Sequence, residues 1–202
     1  MRALPLRSAA VLALAGTAAA LPGPRTIEGP PPGYSGGFGE ASCVTCHVGN
    51  EINAFGGRVY LTGLPERYEQ EGEYVLSVVL EADETEIAGF QVTARFADGP
   101  QRGRSAGRLV PVDARTAVTD SAGVSYLHQS RAGSATSDRS GSSWSFAWTA
   151  PGSAHAVLLN VAANSGNADE SPLGDLVYTH EATAHAAERS RSPGLERLAP
   201  RR

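Results

Sequence analysis

The sequence predicts a mainly β protein, an antiparallel β-sandwich preceded by one short helical segment. Two observations carry the sandwich. From Arg58 onward the chain breaks into about eight short runs rich in β-branched and aromatic residues, divided by Gly, Asp, Ser and Pro turns, which is how sandwich sequences read. No stretch of that half has the period of a useful amphipathic helix. A third observation sets the remainder apart: both cysteines of the 202-residue chain lie upstream, in "GEASCVTCHVGNE", residues 39–51.

In chain order, residues 1–20 come first. Arg2 and Arg7 precede an apolar run from Ala9 to Ala15 and small residues ending Ala18-Ala19-Ala20. That layout is a secretory signal peptide, and the run is too short to span a bilayer, which takes about 20 residues. The chain is therefore expected to be exported, to the periplasm or the cell exterior. No cysteine marks a lipoprotein cleavage site, and no Arg-Arg pair marks twin-arginine export. Removing the peptide leaves 15 basic against 21 acidic residues, all the basic ones Arg. A mildly acidic chain with no basic stripe excludes a nucleic-acid partner as a working idea, and no later segment reaches transmembrane length.

Residues 21–38 are rich in Pro and Gly with no hydrophobic period and read as an extended leader. Residues 39–57 form the Cys-Cys-His segment, expected as one or two helical turns through "CVTCHVGNEINAF". Residues 58–184 are the sandwich. "RVYLTGL" is short and β-branched, and "EYVLSVVLEA" sets Tyr74, Leu76, Val78 and Leu80 on one face. "GFQVTARF" sends Phe90, Val92, Ala94 and Phe96 one way and Gln91, Thr93 and Arg95 the other, as the two-residue period of a strand requires. "GRLVPV" carries a Pro suited to an edge. "GVSYLHQS" puts Val124, Tyr126 and His128 in one phase, and "SWSFAWTAP" groups Trp144, Phe146 and Trp148. "AVLLNVAAN" reads as a buried strand and "DLVYTHEATA" as the last. The loop 131–143 is expected to be mobile. The loop 164–175 carries Asp169, Glu170 and Asp175, which could offer oxygens to calcium but match no defined loop and read better as a turn. Residues 185–202 are expected to be a disordered tail.

Four chemistries could use Cys43, Cys46 and His47. A four-ligand zinc site needs two more partners, normally including Cys, and none remain. A thioredoxin-type pair belongs to an α/β sheet. A disulfide across two residues closes a tiny loop and stabilises little. Covalent haem attachment accounts for all three residues: two thiols three apart reach two vinyl groups, and the next residue offers imidazole to the iron. One haem c, held by Cys43 and Cys46 with His47 as axial ligand, is the expected cofactor.

The β half resembles Reeler (reelin-type) domains in "GFQVTAR" at Gly89 to Arg95, "YLHQS" at Tyr126 to Ser130 and "WSFAWTAP" at Trp144 to Pro151, followed by the apolar "AVLLNVAAN". The whole chain looks like bacterial exported proteins that place a C-x-x-C-H unit before a Reeler-like sandwich. The resemblance implies an exported β-sandwich, and with the motif a monohaem c-type cytochrome; it does not imply a reaction. The chain departs from animal Reeler domains in having no cysteines to spare for disulfides.

The only Met is Met1 and Lys is absent, so a second axial ligand must be a histidine or come from outside. His128, in phase with Val124 and Tyr126, is the first candidate and His180 the second; His155 and His185 read as surface. The expected function is outer-sphere electron transfer with redox partner proteins, an electron carrier rather than an enzyme with a substrate. The alternatives are a surface or extracellular binding module with a structural haem, and a haem sensor or enzyme with an open iron.

Overall fold

A computed structural model describes residues 28–136 and 138–188. The expected signal peptide, the first part of the leader and most of the expected tail lie outside the described residues. Among the described residues there are ten strands: β1 (Gly57–Thr62), β2 (Arg67–Tyr68), β3 (Glu73–Ala82), β4 (Ile87–Phe96), β5 (Arg108–Pro111), β6 (Thr116–Ser121), β7 (Val124–Gln129), β8 (Gly141–Thr149), β9 (Val157–Gly166) and β10 (Leu176–Ala186). They form two sheets, β1-β3-β8-β5 and β2-β10-β9-β4-β7-β6. Every pairing is antiparallel except the two-residue parallel contact of β10 with β2.

Alternation builds the core as expected. Leu76, Val78 and Leu80 of β3 and Trp144, Phe146 and Trp148 of β8 face Phe90, Val92, Ala94 and Phe96 of β4 and Val157, Leu159, Val161 and Ala163 of β9, all of them buried. Phe90 stacks on Trp144 with ring centroids 4.5 Å apart. The indole N–H groups stay paired: Trp144 Nε1 donates to Gly133 O at 2.7 Å and Trp148 Nε1 to Ala106 O at 3.0 Å. Each large aromatic thus buries its ring without stranding its polar atom.

The six-stranded sheet is covered on both faces. On its outer face Gln91 and Thr93 are 0% exposed and Arg95 4%, because residues 28–42 are laid across it as a strap. Pro30, Pro31 and Pro32 have no N–H to donate, so the strap docks through side chains instead of as a strand. Gln91 Nε2 donates to Pro31 O at 2.9 Å and Gln91 Oε1 accepts from Tyr34 N at 2.7 Å. Gly37 lies so close to Asn160 that a Cβ there would fall 2.1 Å from its Cγ. Glu40 then closes the strap. Its carboxylate pairs with Arg95 Nη2 and accepts from Tyr126 OH at 2.5 Å and Ser35 Oγ at 2.9 Å. Phe38 rests between two guanidinium groups, Arg95 at 5.2 Å and Arg102 at 5.3 Å from its ring centroid.

Several expectations change. From residue 28 on, the leader is a docked layer of the fold. The Cys-Cys-His segment makes only a three-residue 3₁₀ turn, Cys43–Thr45. The sandwich runs past 184, since His185 and Ala186 pair with Arg67 and Tyr68. The loop after β7 is anchored: Ala88 N donates to Ser134 O at 2.9 Å and Thr136 Oγ1 to Thr85 O at 2.9 Å. Two strands went unforeseen, the two-residue β2 and the polar edge strand β6, which joins β7 through Ala122 and Gly123 at φ 50° and 81°, the paired positive φ of a tight hairpin turn. Among the described residues no helix is long and apolar enough to cross a membrane.

Candidate functional site

The strap delivers the chain to Cys43 at the outer face of β9 and β10. There Cys43 O accepts from both Cys46 N at 3.1 Å and His47 N at 2.9 Å, closing one turn with a cysteine at each end. The turn cannot propagate. Val48 is drawn into a bridge with Leu173, its N–H donating to Pro172 O at 3.0 Å and its carbonyl accepting from Gly174 N at 2.8 Å. Val44, Thr45 and Val48 are also β-branched, which disfavours helix.

The two thiols are free and differ in setting, Cys43 buried and Cys46 exposed. Cys43 packs on Ala162 of β9 and Val177 of β10, with Val44 beside it. Burial pushes its thiol up to about 12, because a thiolate there would lose its hydration.

His47 leans the other way, onto the start of β10. Its Nδ1 is 2.6 Å from Asp175 Oδ2, with the side chains 31% and 6% exposed. A carboxylate accepts, so Nδ1 carries a proton, and in the neutral imidazole the lone pair is then on Nε2. Asn50 Nδ2 donates to Gly174 O at 2.8 Å and Asp175 O at 3.2 Å, tying the chain beyond His47 to the same turn. Asn53, at φ 59°, mimics a paired strand residue. Its N–H reaches Val177 O at 2.9 Å and its Oδ1 accepts from Thr179 N at 2.8 Å. The segment is thus part of the sandwich surface, with no boundary at Gly57.

Around the turn lie exposed apolar side chains. Val48, Ile52, Phe55 and Leu173 account for four of the six large hydrophobics exposed among the described residues. All four belong to this segment or to its bridge partner. Exposed apolar side chains so concentrated along one segment mark it as a candidate contact surface. Among the described residues no three His, Cys, Asp or Glu side chains gather to hold a metal ion. What the turn offers is two thiols, one imidazole nitrogen and an apolar surround.

The other histidines are not brought to it. His128 is on the same face of the sheet as Ala162, two strands away through Gln91, about 10 Å at the usual strand spacing. Both its ring nitrogens are engaged, Nδ1 with Gln129 O at 2.7 Å and Nε2 with Thr119 Oγ1 at 3.0 Å, and Gly29 of the strap lies on the ring. His128, the first candidate for a second axial ligand, is thus not brought against the Cys-Cys-His turn: the strap covers its ring. His180 pairs with Val161 and so shares the opposite face from Val177. His155 pairs with Asp98 at 2.8 Å, and His185 sits at the far end of β10. In the loop of possible calcium ligands, Asp169 accepts from Ser171 N at 2.8 Å as a plain turn, while Asp175 belongs to His47. The sequence reading placed Asp175 in a plain turn and gave it no part in the motif; nothing local marks a residue 128 positions away as the partner of His47. Glu40 and the docked strap were missed for the same reason.

No family model matches the chain, and no curated protein does. Among solved structures it is similar to the Reelin-N domain of F-spondin, at 14% identity and a TM-score of 0.48, over 72% of this chain and 96% of that one. It is similar to a human F-spondin reeler domain at 16% identity and a TM-score of 0.45, over 68% and 95% of the two chains. It is also similar to AvmM, described as catalysing macrocyclization in alchivemycin A biosynthesis, at 13% identity and a TM-score of 0.44, over 72% and 98%.

Proposed function

We propose that this chain is an exported c-type cytochrome that carries one haem through Cys43 and Cys46, with His47 on the iron, and exchanges electrons with partner proteins outside the cytoplasm. One observation carries the reading: two cysteines and a histidine share a single closed turn, the histidine's Nδ1 bound so that Nε2 is free, amid exposed apolar side chains. These residues fit a covalently held haem. Bound there, haem would supply a one-electron Fe(III)/Fe(II) couple.

The chain's own residues divide the work. Cys43 and Cys46 would hold the group by adding S–H across its two vinyl groups, an addition that needs no oxidant. Cys46 is exposed for this, whereas Cys43 is packed on Ala162 and Val177, so attachment there would require the turn to lift. His47 would offer Nε2 to the iron. Val48, Ile52, Phe55 and Leu173 would offer apolar contact, and burial is one of the levers on potential.

A second reading, an iron open to an external ligand, is favoured by the bonds His128 already makes to Thr119 and Gln129. For His128 to bind iron the strap must lift and the ring must release Thr119. A denaturing gel stained for haem tests the attachment. Cys43→Ala and Cys46→Ala should each lose the covalent stain or leave a one-thioether product with a shifted band, and full stain in both refutes it. His128→Ala then separates the two readings. A low-spin spectrum that turns high-spin identifies His128 as sixth ligand, and an unchanged spectrum that responds to added imidazole or carbon monoxide identifies an open iron.

A further inference from the structure

We propose that Asp175 is a positioning residue for His47: it fixes the Nδ1–H tautomer, aims Nε2 away from the sheet, and holds the iron in favour of Fe(III). The inference rests on the haem reading above and adds to it the residue that sets the potential. Asp175 stands where the connection from β9 enters β10, its side chain 6% exposed. Its Oδ1 faces Gly166, where a Cβ would lie 3.2 Å away, and its Oδ2 takes the imidazole at 2.6 Å. A buried carboxylate is a poor device for stability alone, since desolvation cancels much of what a pair returns. Its geometry serves a ligand instead. Metal-binding histidines are oriented by a hydrogen bond at the second nitrogen, and a carboxylate acceptor there raises the basicity of the first. A more basic ligand and a nearby negative charge both stabilise the oxidised iron, which carries one more positive charge.

The two parts are tested separately. In the haem-free chain, ¹⁵N NMR should find His47 protonated on Nδ1; a wild-type Nε2–H tautomer overturns the proposal whatever the haem does. In the haem-loaded protein, Asp175→Asn should lower the Fe(III)/Fe(II) ratio at fixed ambient potential by about tenfold, about 59 mV for a one-electron couple. Asp169→Asn removes an exposed carboxylate from the same connection and should leave the potential where it is. An unchanged potential in Asp175→Asn overturns the proposal, and so do equal shifts in both variants, which assign the effect to general charge. If Asp175→Asn is recovered without haem, Asp175→Glu, which keeps the charge, should restore both haem attachment and potential; failure to do so leaves only a bracing role and overturns the proposal. A wild-type chain that takes up no thioether-linked haem overturns the haem reading itself, while the tautomer still decides whether Asp175 presents Nε2.

Discussion

Replacing Glu40 by alanine should detach the strap and weaken the whole sandwich. Arg95 lies at 4% exposure under the strap, and its Nε already has no partner. Without Glu40, Nη2 keeps only the Tyr126 hydroxyl at 3.1 Å, and Ser35 Oγ loses its acceptor. Removing one member of a buried pair costs about 3–5 kcal/mol, because a charge is left stranded. Here the strap can lift and admit water to the guanidinium, which places the loss near the lower end, about 3 kcal/mol. With a urea slope of about 2 kcal/mol per molar, the unfolding midpoint should fall by about 1.5 M. The buried indoles of Trp144 and Trp148 give a fluorescence signal for the transition. The double variant Glu40→Gln, Arg95→Met removes both charges and should recover part of the loss, since an apolar replacement of both partners strands nothing. A Glu40→Ala midpoint within about 0.3 M of wild type refutes the reasoning, and would mean that the proline and glycine contacts hold the strap without the ion pair.

The same carboxylate makes stability depend on pH. Burial pushes the Glu40 carboxyl up, but hydrogen bonds from Arg95, Tyr126 and Ser35 and the Arg95 charge outweigh it, and the net direction is down. A folded value below the unfolded one, about 4.3, means that the contribution is complete above that pH and is lost as pH falls through the folded value. Urea midpoints should therefore drop below about pH 4.3 in wild type, and Glu40→Gln should lack that component; parallel curves would contradict this. The thiols should differ in rate. In the haem-free chain, iodoacetamide should modify exposed Cys46 quickly and buried Cys43 slowly, the Cys43 thiol being held up to about 12 by burial. Glu40→Ala should speed Cys43 by raising the strap three residues upstream, and equal rates for the two cysteines in wild type would show that the turn is not docked.

What the sequence showed of this fold and what it hid divide along one line. Alternation is a local property, so Leu76, Val78, Leu80, Trp144, Phe146 and Trp148 could be assigned to one inner face before any pairing was known. The same pattern in β4 showed Gln91, Thr93 and Arg95 opposite the apolar set. Polar residues on the second face of a strand ordinarily mean solvent. Here they are docking groups for a segment whose Pro and Gly content argued against a buried role. Proline supplies a free carbonyl to Gln91 and Gly37 allows close approach to Asn160, so the composition that suggests an unfolded leader also suits a flat layer on a sheet. β6 was missed because its burial is slight, leaving no apolar alternation to read. The motif at Cys43, Cys46 and His47 could be picked out because its three side chains fall within five residues; Asp175 and Glu40 act across the fold and have no local code.

That division bears on how the site keeps its geometry. Three ties join residues 47–53 to the entry and outer edge of β10: His47 to Asp175, Asn50 to Gly174 and Asp175, and Asn53 to Val177 and Thr179. The first two depend on where the connection from β9 places Asp175. The bridge of Val48 with Leu173 fixes the same connection from its other side. A shift of one residue in the β9–β10 register would turn Val177 away from Cys43 and move Asp175 from His47 together, because successive residues of a strand face opposite ways. The long pairing from Leu176–Ser165 to Ala184–Val157, with Tyr178 buried in the core, opposes such a slip. The sandwich therefore acts on the Cys-Cys-His turn through one hairpin, and the steadiness of that hairpin sets how firmly the imidazole is aimed.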